Sequence, residues 1–116
     1  MRKRHAIAIA TALALPAQQD AAVAQAPESA YRAMLGCRDF VANANSNMYL
    51  QGVCAGVVRS LVFVGRSLGI CRPSGANVAQ SAKVVVAYID QRPERMHEQF
   101  ESLAIEAVQQ AWSCQR

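Results

Sequence analysis

The side chains best suited to chemistry in this sequence are four cysteines, Cys37, Cys54, Cys71 and Cys114. Reduced cysteines act as metal ligands and nucleophiles, because the thiolate binds zinc and attacks electrophilic centres. In an exported chain of this size, an even number of cysteines is instead typical of disulfides. The compartment in which the chain folds therefore decides what the cysteines do.

The N-terminal segment has the parts of a secretory signal peptide. Basic residues at positions 2–4 precede an uncharged apolar run over residues 6–15. Those ten residues rise about 15 Å as a helix, half the hydrocarbon thickness of a bilayer, and are too short to span it. Small-x-small cleavage patterns occur at residues 22–24 and 24–26. Cleavage after Ala24 is preferred, because the second pattern would leave Pro27 next to the cut bond. We therefore expect a signal peptide over residues 1–24, cleaved near Ala24, and a mature domain over residues 25–116.

Few other residues offer catalytic chemistry. Once residues 1–24 are removed, His97 is the one remaining histidine, so a Cys–His pair or a zinc site would depend on cysteines that we expect to be oxidised. The serines on the predicted helices lack a nucleophile-elbow motif. Glu94, Glu98 and Glu101 have the spacing of a solvated helix side. The sequence predicts no catalytic residue, no metal site and no cofactor, and hence a protein that is not an enzyme.

Composition limits the size and the partners of the protein. The chain has 116 residues, of which 53% are hydrophobic and 17% charged, as expected for one small folded domain. Without residues 1–24, nine basic and seven acidic residues remain, a net charge of +2, and the basic residues are scattered along the sequence. Nucleic-acid binding needs a concentrated positive face, so we expect no nucleic-acid partner.

Helical periodicity dominates the mature sequence, because no stretch alternates for long with the period of two that is typical of strands. Predicted helices cover residues 27–41, 48–68, 78–92 and 93–112. Asn77 is a good N-cap for the third helix, and Pro93 ends it. The predicted fold is all-α, a small disulfide-stapled bundle of about four helices with short connections between antiparallel neighbours.

The second predicted helix has the clearest packing pattern. Its apolar residues are spaced 4-3-4-3-4, as in one seam of a helical bundle: Leu50, Cys54, Val57, Leu61, Val64 and Leu68. Gly52 and Gly56 lie one turn apart, and glycine in a helix costs roughly 1 kcal/mol relative to alanine, which predicts a close approach of a neighbouring backbone at that face. Arg59 and Arg66 in the same helix argue against a membrane span.

The predicted helix arrangement favours one disulfide pairing. Cys37 and Cys54 flank the first interhelical loop, whereas Cys71 and Cys114 follow helices that end at the same side of the bundle. We therefore expect Cys37–Cys54 and Cys71–Cys114. A Cys54–Cys71 bond is disfavoured because the intervening helix separates these residues by roughly 18 Å. Cys37–Cys71 with Cys54–Cys114 stays open as the alternative.

Residues 49–114 resemble the Tai/Rap family of periplasmic immunity proteins, which neutralise amidase effectors of type VI secretion. The matching segments are 49–56 (YLQGVCAG), 71–80 (CRPSGANVAQ), 84–97 (VVVAYIDQRPERMH) and 107–114 (AVQQAWSC). They correspond to the Gly-x-Cys-x-Gly helix, the Cys-x-Pro turn, the Tyr-Leu-x-x-x-Pro-Glu corner and the terminal cysteine of the family. Asn77 stands where the family usually has threonine, and Ser113 where it has proline.

The resemblance implies a function by binding alone. It implies a periplasmic protein that occludes the active site of a peptidoglycan amidase effector and acts as a homodimer. Separately, because no second long apolar segment follows the signal peptide, we expect no membrane contact after signal removal. For the inserting element we expect the start of the third helix and the exposed turn that precedes it, between Cys71 and the cap residue Asn77. This turn consists of Arg72, Pro73, Ser74, Gly75 and Ala76.

An alternative function follows from a second similarity. The segment 36–40 (GCRDF) is similar to the Cys-x-x-Phe start of HdeA-type periplasmic acid-stress chaperones, a related helical fold. Such chaperones need many carboxylates that titrate at about pH 4, whereas the mature chain has seven acidic residues and one histidine. An envelope protein of another role is the remaining alternative.

Overall fold

The computed structural model describes residues 9–14 and 27–115. The predicted signal peptide lies largely outside these residues and stays a prediction. In the described part of the chain, four α-helices form a bundle without β-strands, and two disulfides staple it, which confirms the predicted fold class. The helices are α1 (Ala30–Val41), α2 (Met48–Val64), α3 (Val78–Asp90) and α4 (Phe100–Ala111), with 3₁₀ turns at Gly65–Leu68 and Pro93–Arg95.

Local signals set several helix ends. The side chain of Ser29 accepts a hydrogen bond from the Arg32 N–H at the start of α1, and Asn77 accepts one from the Gln80 N–H at the start of α3. These N-caps satisfy amide groups that have no partner within the helix. After the 3₁₀ turn that extends α2, Gly69 adopts a φ of 74°, a left-handed conformation that glycine accepts without steric cost.

The hydrophobic core lies where all four helices meet. Its largest fully buried side chains are Phe100, Met34, Ile89 and Leu103. Val57 is half-buried and packs against this core, and Val58 is the fully buried valine of α2. Val64 is 41% exposed, so the predicted seam is wrong at that residue. A straight helix has 3.6 residues per turn, and its buried face therefore moves away from a 3.5-residue repeat over several turns.

The close approach of two backbones occurs at a glycine other than the predicted ones. Gly52 and Gly56 are exposed, and a β-carbon added at either residue would have no neighbouring atom within 4 Å, so the expectation for them is wrong. Gly36 of α1 lies instead against α2, where a β-carbon would overlap the carbonyl group of Leu50 and lie 2.5 Å from the backbone nitrogen of Gln51. Gly36 thus permits the contact between α1 and α2.

The fourth helix begins later than expected, at Phe100 rather than at Pro93. The preceding segment runs beside the start of α1 and exchanges backbone hydrogen bonds with it. The carbonyls of Glu98 and Met96 accept from the N–H groups of Ala30 and Tyr31, and Phe100 donates to the Glu28 carbonyl. The first amides of a helix need partners outside the helix. The Glu28 carbonyl is such a partner for Phe100, and α4 therefore begins at Phe100 rather than at Pro93.

Candidate partner-binding site

The segment Arg72–Ala76, here called the projecting turn, connects the end of the α2 region to α3. Pro73, Ser74 and Gly75 are exposed, Arg72 is half-buried, and Ala76 is only 7% exposed. The Ala76 N–H donates to the Pro73 carbonyl over 3.2 Å, and Gly75 has a φ of 89°, as the third residue of a type II turn requires. The turn therefore presents three residues to a partner, while Ala76 holds its base.

Both ends of the projecting turn are anchored. On one side, the Cys71–Cys114 disulfide joins it to the C-terminal segment, with a Cα–Cα distance of 4.8 Å. The Cys71 N–H donates to the Trp112 carbonyl over 2.7 Å, and the Cys114 N–H donates to the Gly69 carbonyl over 3.0 Å. On the other side, the Asn77 cap starts α3. Such anchoring lowers the entropy that the turn would lose on binding a partner.

The second disulfide joins Cys37 of α1 to Cys54 of α2, with a Cα–Cα distance of 5.2 Å. The two disulfides are thus the pairs preferred from the sequence, and the alternative of Cys37–Cys71 with Cys54–Cys114 is not formed. All four cysteines of the chain are paired in this way. Among residues 9–14 and 27–115, no group of three or more histidine, cysteine, aspartate or glutamate side chains is placed to hold a metal ion.

A cluster of charged side chains holds the corner between α3 and α4. Arg95 donates hydrogen bonds to Glu98 over 2.6 and 3.0 Å and to Glu106 over 2.7 and 3.0 Å. The Tyr88 hydroxyl donates to Glu106, and the Arg92 guanidinium lies 3.6 Å from the centre of the Tyr88 ring. These contacts occupy the carboxylates in a structural role, and Glu98 is therefore more than part of a solvated helix side.

Among residues 27–115, no side-chain hydrogen bond or ion pair joins the remaining candidates for acid–base chemistry to one another. His97 and Glu94 are exposed, and Glu101 is half-buried in the first turn of α4, where a helix favours negative charge. The Arg95–Glu106 pair was not predicted, because its members are 11 residues apart. The Arg95–Glu98 pair, in contrast, could have been predicted, because residues three apart on a helical turn are neighbours.

These carboxylates predict how stability depends on pH. Hydrogen bonds from Arg95 hold the pKa values of Glu98 and Glu106 below that of an ordinary glutamate. Asp39 also has a lowered pKa, because it accepts hydrogen bonds from Ser46, which has the larger effect, and from Asn47. A lowered folded-state pKa contributes stability that is complete above the unfolded-state pKa of about 4 and is lost as pH falls through the folded-state pKa.

We therefore expect the free energy of unfolding, measured by urea denaturation from pH 7 to pH 2.5, to fall below about pH 4. Glu106→Gln should make this fall shallower, because it removes one of the shifted carboxylates. Glu94→Gln is the matched control, since Glu94 is exposed and belongs to no ion pair among residues 27–115. If the free energy of unfolding falls equally steeply at low pH in both variants, Glu106 is not one of the carboxylates that cause the fall.

The outer face of α2 carries large exposed apolar side chains together with the exposed Arg59 and Ser60. Phe63 is 89% exposed, Tyr49 is 70% exposed and Met48 is 65% exposed, and Gly52 and Gly56 lie between them on the helix. By length and composition, residues Met48–Leu68 could cross a membrane, with a mean hydropathy of 1.5. The inner face of the same helix, however, packs in the core and carries the disulfide to α1. A core helix of a bundle can have the same length and composition as a membrane span, and α2 is such a core helix.

An open cleft of about 520 Å³ lies beside the projecting turn. We call it the arginine cleft, because the guanidinium-bearing side chains of Arg66 and Arg72 line it together with Phe63 and Ile70. Its full lining is Val62, Phe63, Val64, Gly65, Arg66, Ser67, Ile70, Cys71 and Arg72. The cleft therefore shares Arg72 with the turn and Phe63 with the outer face of α2.

Comparison with known proteins agrees with the resemblance seen in the sequence. A family model of the Rap1a immunity proteins matches residues 28–114. No curated protein and no solved structure matches the chain. The matched range contains all four helices, both disulfides, the projecting turn and the arginine cleft. The chain therefore belongs to the family of Rap1a immunity proteins.

Proposed function

We propose that this immunity protein inhibits a peptidoglycan amidase delivered by type VI secretion, and that it does so by occluding the active site of that enzyme. The observation that carries the proposal is the family match over residues 28–114. An immunity protein acts on a toxin by binding it, and occlusion requires a rigid complementary shape rather than catalytic groups. The two disulfides and the anchored turn supply that rigidity.

We place the protein in the periplasm, as a mature domain of residues 25–116 released from a signal peptide of residues 1–24. Two disulfides fit an exported chain. The periplasm is also the compartment in which a peptidoglycan amidase meets its substrate.

The projecting turn, with the start of α3, is the element that we propose to enter the amidase. Its tip is exposed and its base is held by a disulfide and a helix cap. The contacting residues are then Arg72, Pro73, Ser74 and Gly75, while the buried Ala76 supports them from below. We also propose that the protein acts as a homodimer, as the resemblance to the Tai/Rap family implies.

The direct test is a binding and inhibition experiment. Oxidised protein of residues 25–116 would be mixed with each purified product of the neighbouring genes, and amidase activity would be assayed on peptidoglycan. We expect a stoichiometric complex with one of them and loss of its activity. Failure to bind or inhibit any amidase among them would refute the proposal.

A bulky substitution at the tip tests the role of the projecting turn. Ser74→Trp should weaken binding to the amidase by roughly 30-fold or more, which corresponds to the 2 kcal/mol or more of a hot-spot position, because the larger side chain cannot enter the same groove. Isothermal titration calorimetry gives the affinity, and thermal unfolding should be unchanged.

Asn45→Trp is the matched control, because Asn45 is an exposed residue of the loop between α1 and α2, at the opposite end of the bundle. Equal affinities of the two tryptophan variants would show that the turn is not the inserting element.

A further inference from the structure

Charge is distributed unevenly along this chain. No aspartate or glutamate occurs from residue 40 to residue 89, whereas Arg59, Arg66, Arg72 and Lys83 all lie within that range. The acidic residues of the folded domain lie before and after it, and several are neutralised by arginines in ion pairs. The charged side chains of α2, the projecting turn and the first half of α3 are therefore all cationic.

The arginine cleft concentrates this charge at one place. Arg66 and Arg72 both line it, and neither belongs to an ion pair among residues 27–115. The Ser67 hydroxyl already donates to the Val64 carbonyl over 2.6 Å, so the guanidinium groups are the side-chain donors that the cleft offers. A guanidinium binds a carboxylate through two parallel N–H···O bonds, which makes carboxylates its preferred partners in proteins.

The walls of the arginine cleft are held in place before any partner binds. The Ile70 N–H donates to the Gly65 carbonyl over 2.8 Å, and Cys71 is held by its disulfide and by the Trp112 carbonyl. Gly65 is buried, and a β-carbon there would lie 3.3 Å from the Ile70 carbonyl oxygen, so Gly65 and Ile70 are closely packed. Preorganisation of this kind raises affinity because little side-chain and loop entropy remains to be lost.

An aromatic ring extends the cleft. Phe63 is one of its lining residues and is 89% exposed, so the cleft combines an exposed aromatic ring with two arginines. A site that combines charge with an exposed aromatic side chain fits a protein surface, since interfaces are enriched in both arginine and aromatic residues. The concave shape favours an inserted side chain over a flat anionic membrane.

We infer that the arginine cleft receives an acidic side chain of the bound effector, whose carboxylate lies between Arg66 and Arg72 while neighbouring apolar groups pack on Phe63. The inference rests on the proposed function for the identity of the partner. It adds the chemistry of the contact, namely that the effector presents an aspartate or glutamate beside an apolar residue to this part of the immunity protein.

Charge reversal tests the inference in the complex. Arg66→Glu and Arg72→Glu should each weaken effector binding by roughly 30-fold or more, the loss expected when one partner of a hydrogen-bonded charge pair is removed. Lys83→Glu makes the same change in net charge at an exposed site on α3 outside the cleft, and we expect less than about threefold weakening. Because salt screens such pairs, wild-type affinity should also fall as NaCl rises from about 0.05 to about 0.5 M.

A peptide probe tests the cleft independently of the effector. In ¹⁵N-HSQC titrations of the wild-type protein, the peptide acetyl-Gly-Asp-Phe-Asp-Gly-amide should shift the backbone resonances of residues 62–72. The isosteric peptide with asparagine in place of aspartate should not, and Arg66→Glu should abolish the shifts. Equal responses to the two peptides would overturn the inference.

The outcomes separate the inference from the proposed function. If the wild-type protein inhibits its amidase but all three charge-reversal variants bind equally well, the inference is wrong and the proposed function stands. If no amidase is bound while the acidic peptide still selects the cleft, the proposed function is wrong and the carboxylate site stands. Binding to vesicles of anionic phospholipid, without a response to the acidic peptide, would overturn the inference in favour of a membrane contact.

Discussion

Replacing Gly36 by alanine is expected to lower the free energy of unfolding by about 3 kcal/mol or more, the upper range for overpacking of a closely packed core. The new β-carbon would overlap the carbonyl group of Leu50, so α1 and α2 would have to move apart. The Cys37–Cys54 disulfide joins the same two helices one residue away and opposes that movement. For a domain of this size, the melting temperature should fall by roughly 12 °C or more.

Gly52→Ala is the matched control for this prediction. Gly52 lies in the second turn of α2, and a β-carbon added there would have no neighbouring atom within 4 Å. Alanine at this position should raise stability by roughly 0.5–1 kcal/mol, because glycine is the poorer helix former. Urea denaturation of the two variants should therefore give changes of opposite sign. A Gly36→Ala variant as stable as the wild type would contradict the close contact between α1 and α2.

Removal of the Cys71–Cys114 disulfide by a double alanine substitution is expected to have the second large effect. The disulfide closes a loop with a sequence separation of 43 residues, for which the chain-entropy model gives a stabilisation of about 4 kcal/mol. The same bond anchors the base of the projecting turn and one wall of the arginine cleft. Its loss should therefore reduce both the free energy of unfolding and the affinity for the amidase.

The Cys37–Cys54 disulfide provides the control for the second effect. Its sequence separation is 17 residues, which corresponds to about 3 kcal/mol in the same model, and it lies between α1 and α2, away from the turn. The double alanine variant at Cys37 and Cys54 should lose stability but keep its affinity, measured by calorimetry at a temperature where both variants remain folded. If the two double alanine variants lose the same affinity for the amidase, the turn does not depend on the Cys71–Cys114 disulfide.

Helix ends that depend on neighbouring residues in the sequence are predictable from it. Asn77 caps α3 because its side chain reaches the N–H of Gln80 three residues later, and Gly69 ends the α2 region through its own left-handed conformation. The start of α4 is different, because it depends on hydrogen bonds to the first residues of α1, about 70 positions away in the chain. No local pattern near Pro93 reports that pairing.

The candidate site was predictable in part for the same reason. The turn between Cys71 and Asn77 is visible in the sequence, since proline and glycine mark it and a cap residue follows. The absence of acidic residues from position 40 to position 89 is visible as well, and it is the signal that could have drawn attention to Arg66. The fold is needed to place Arg66 and Phe63 beside Arg72 in one cleft.

The all-α class, the turn between two anchors and the preferred pairing of the cysteines were all predictable, because each depends on periodicity and on spacing along the chain. Three other features follow from the packed bundle: which glycine allows α1 and α2 to touch, where α4 begins and which arginines share a cleft. These features depend on which face each helix turns toward its neighbours. Helices of 3.6 residues per turn offer several apolar faces of similar quality, and packing of the whole bundle selects among them.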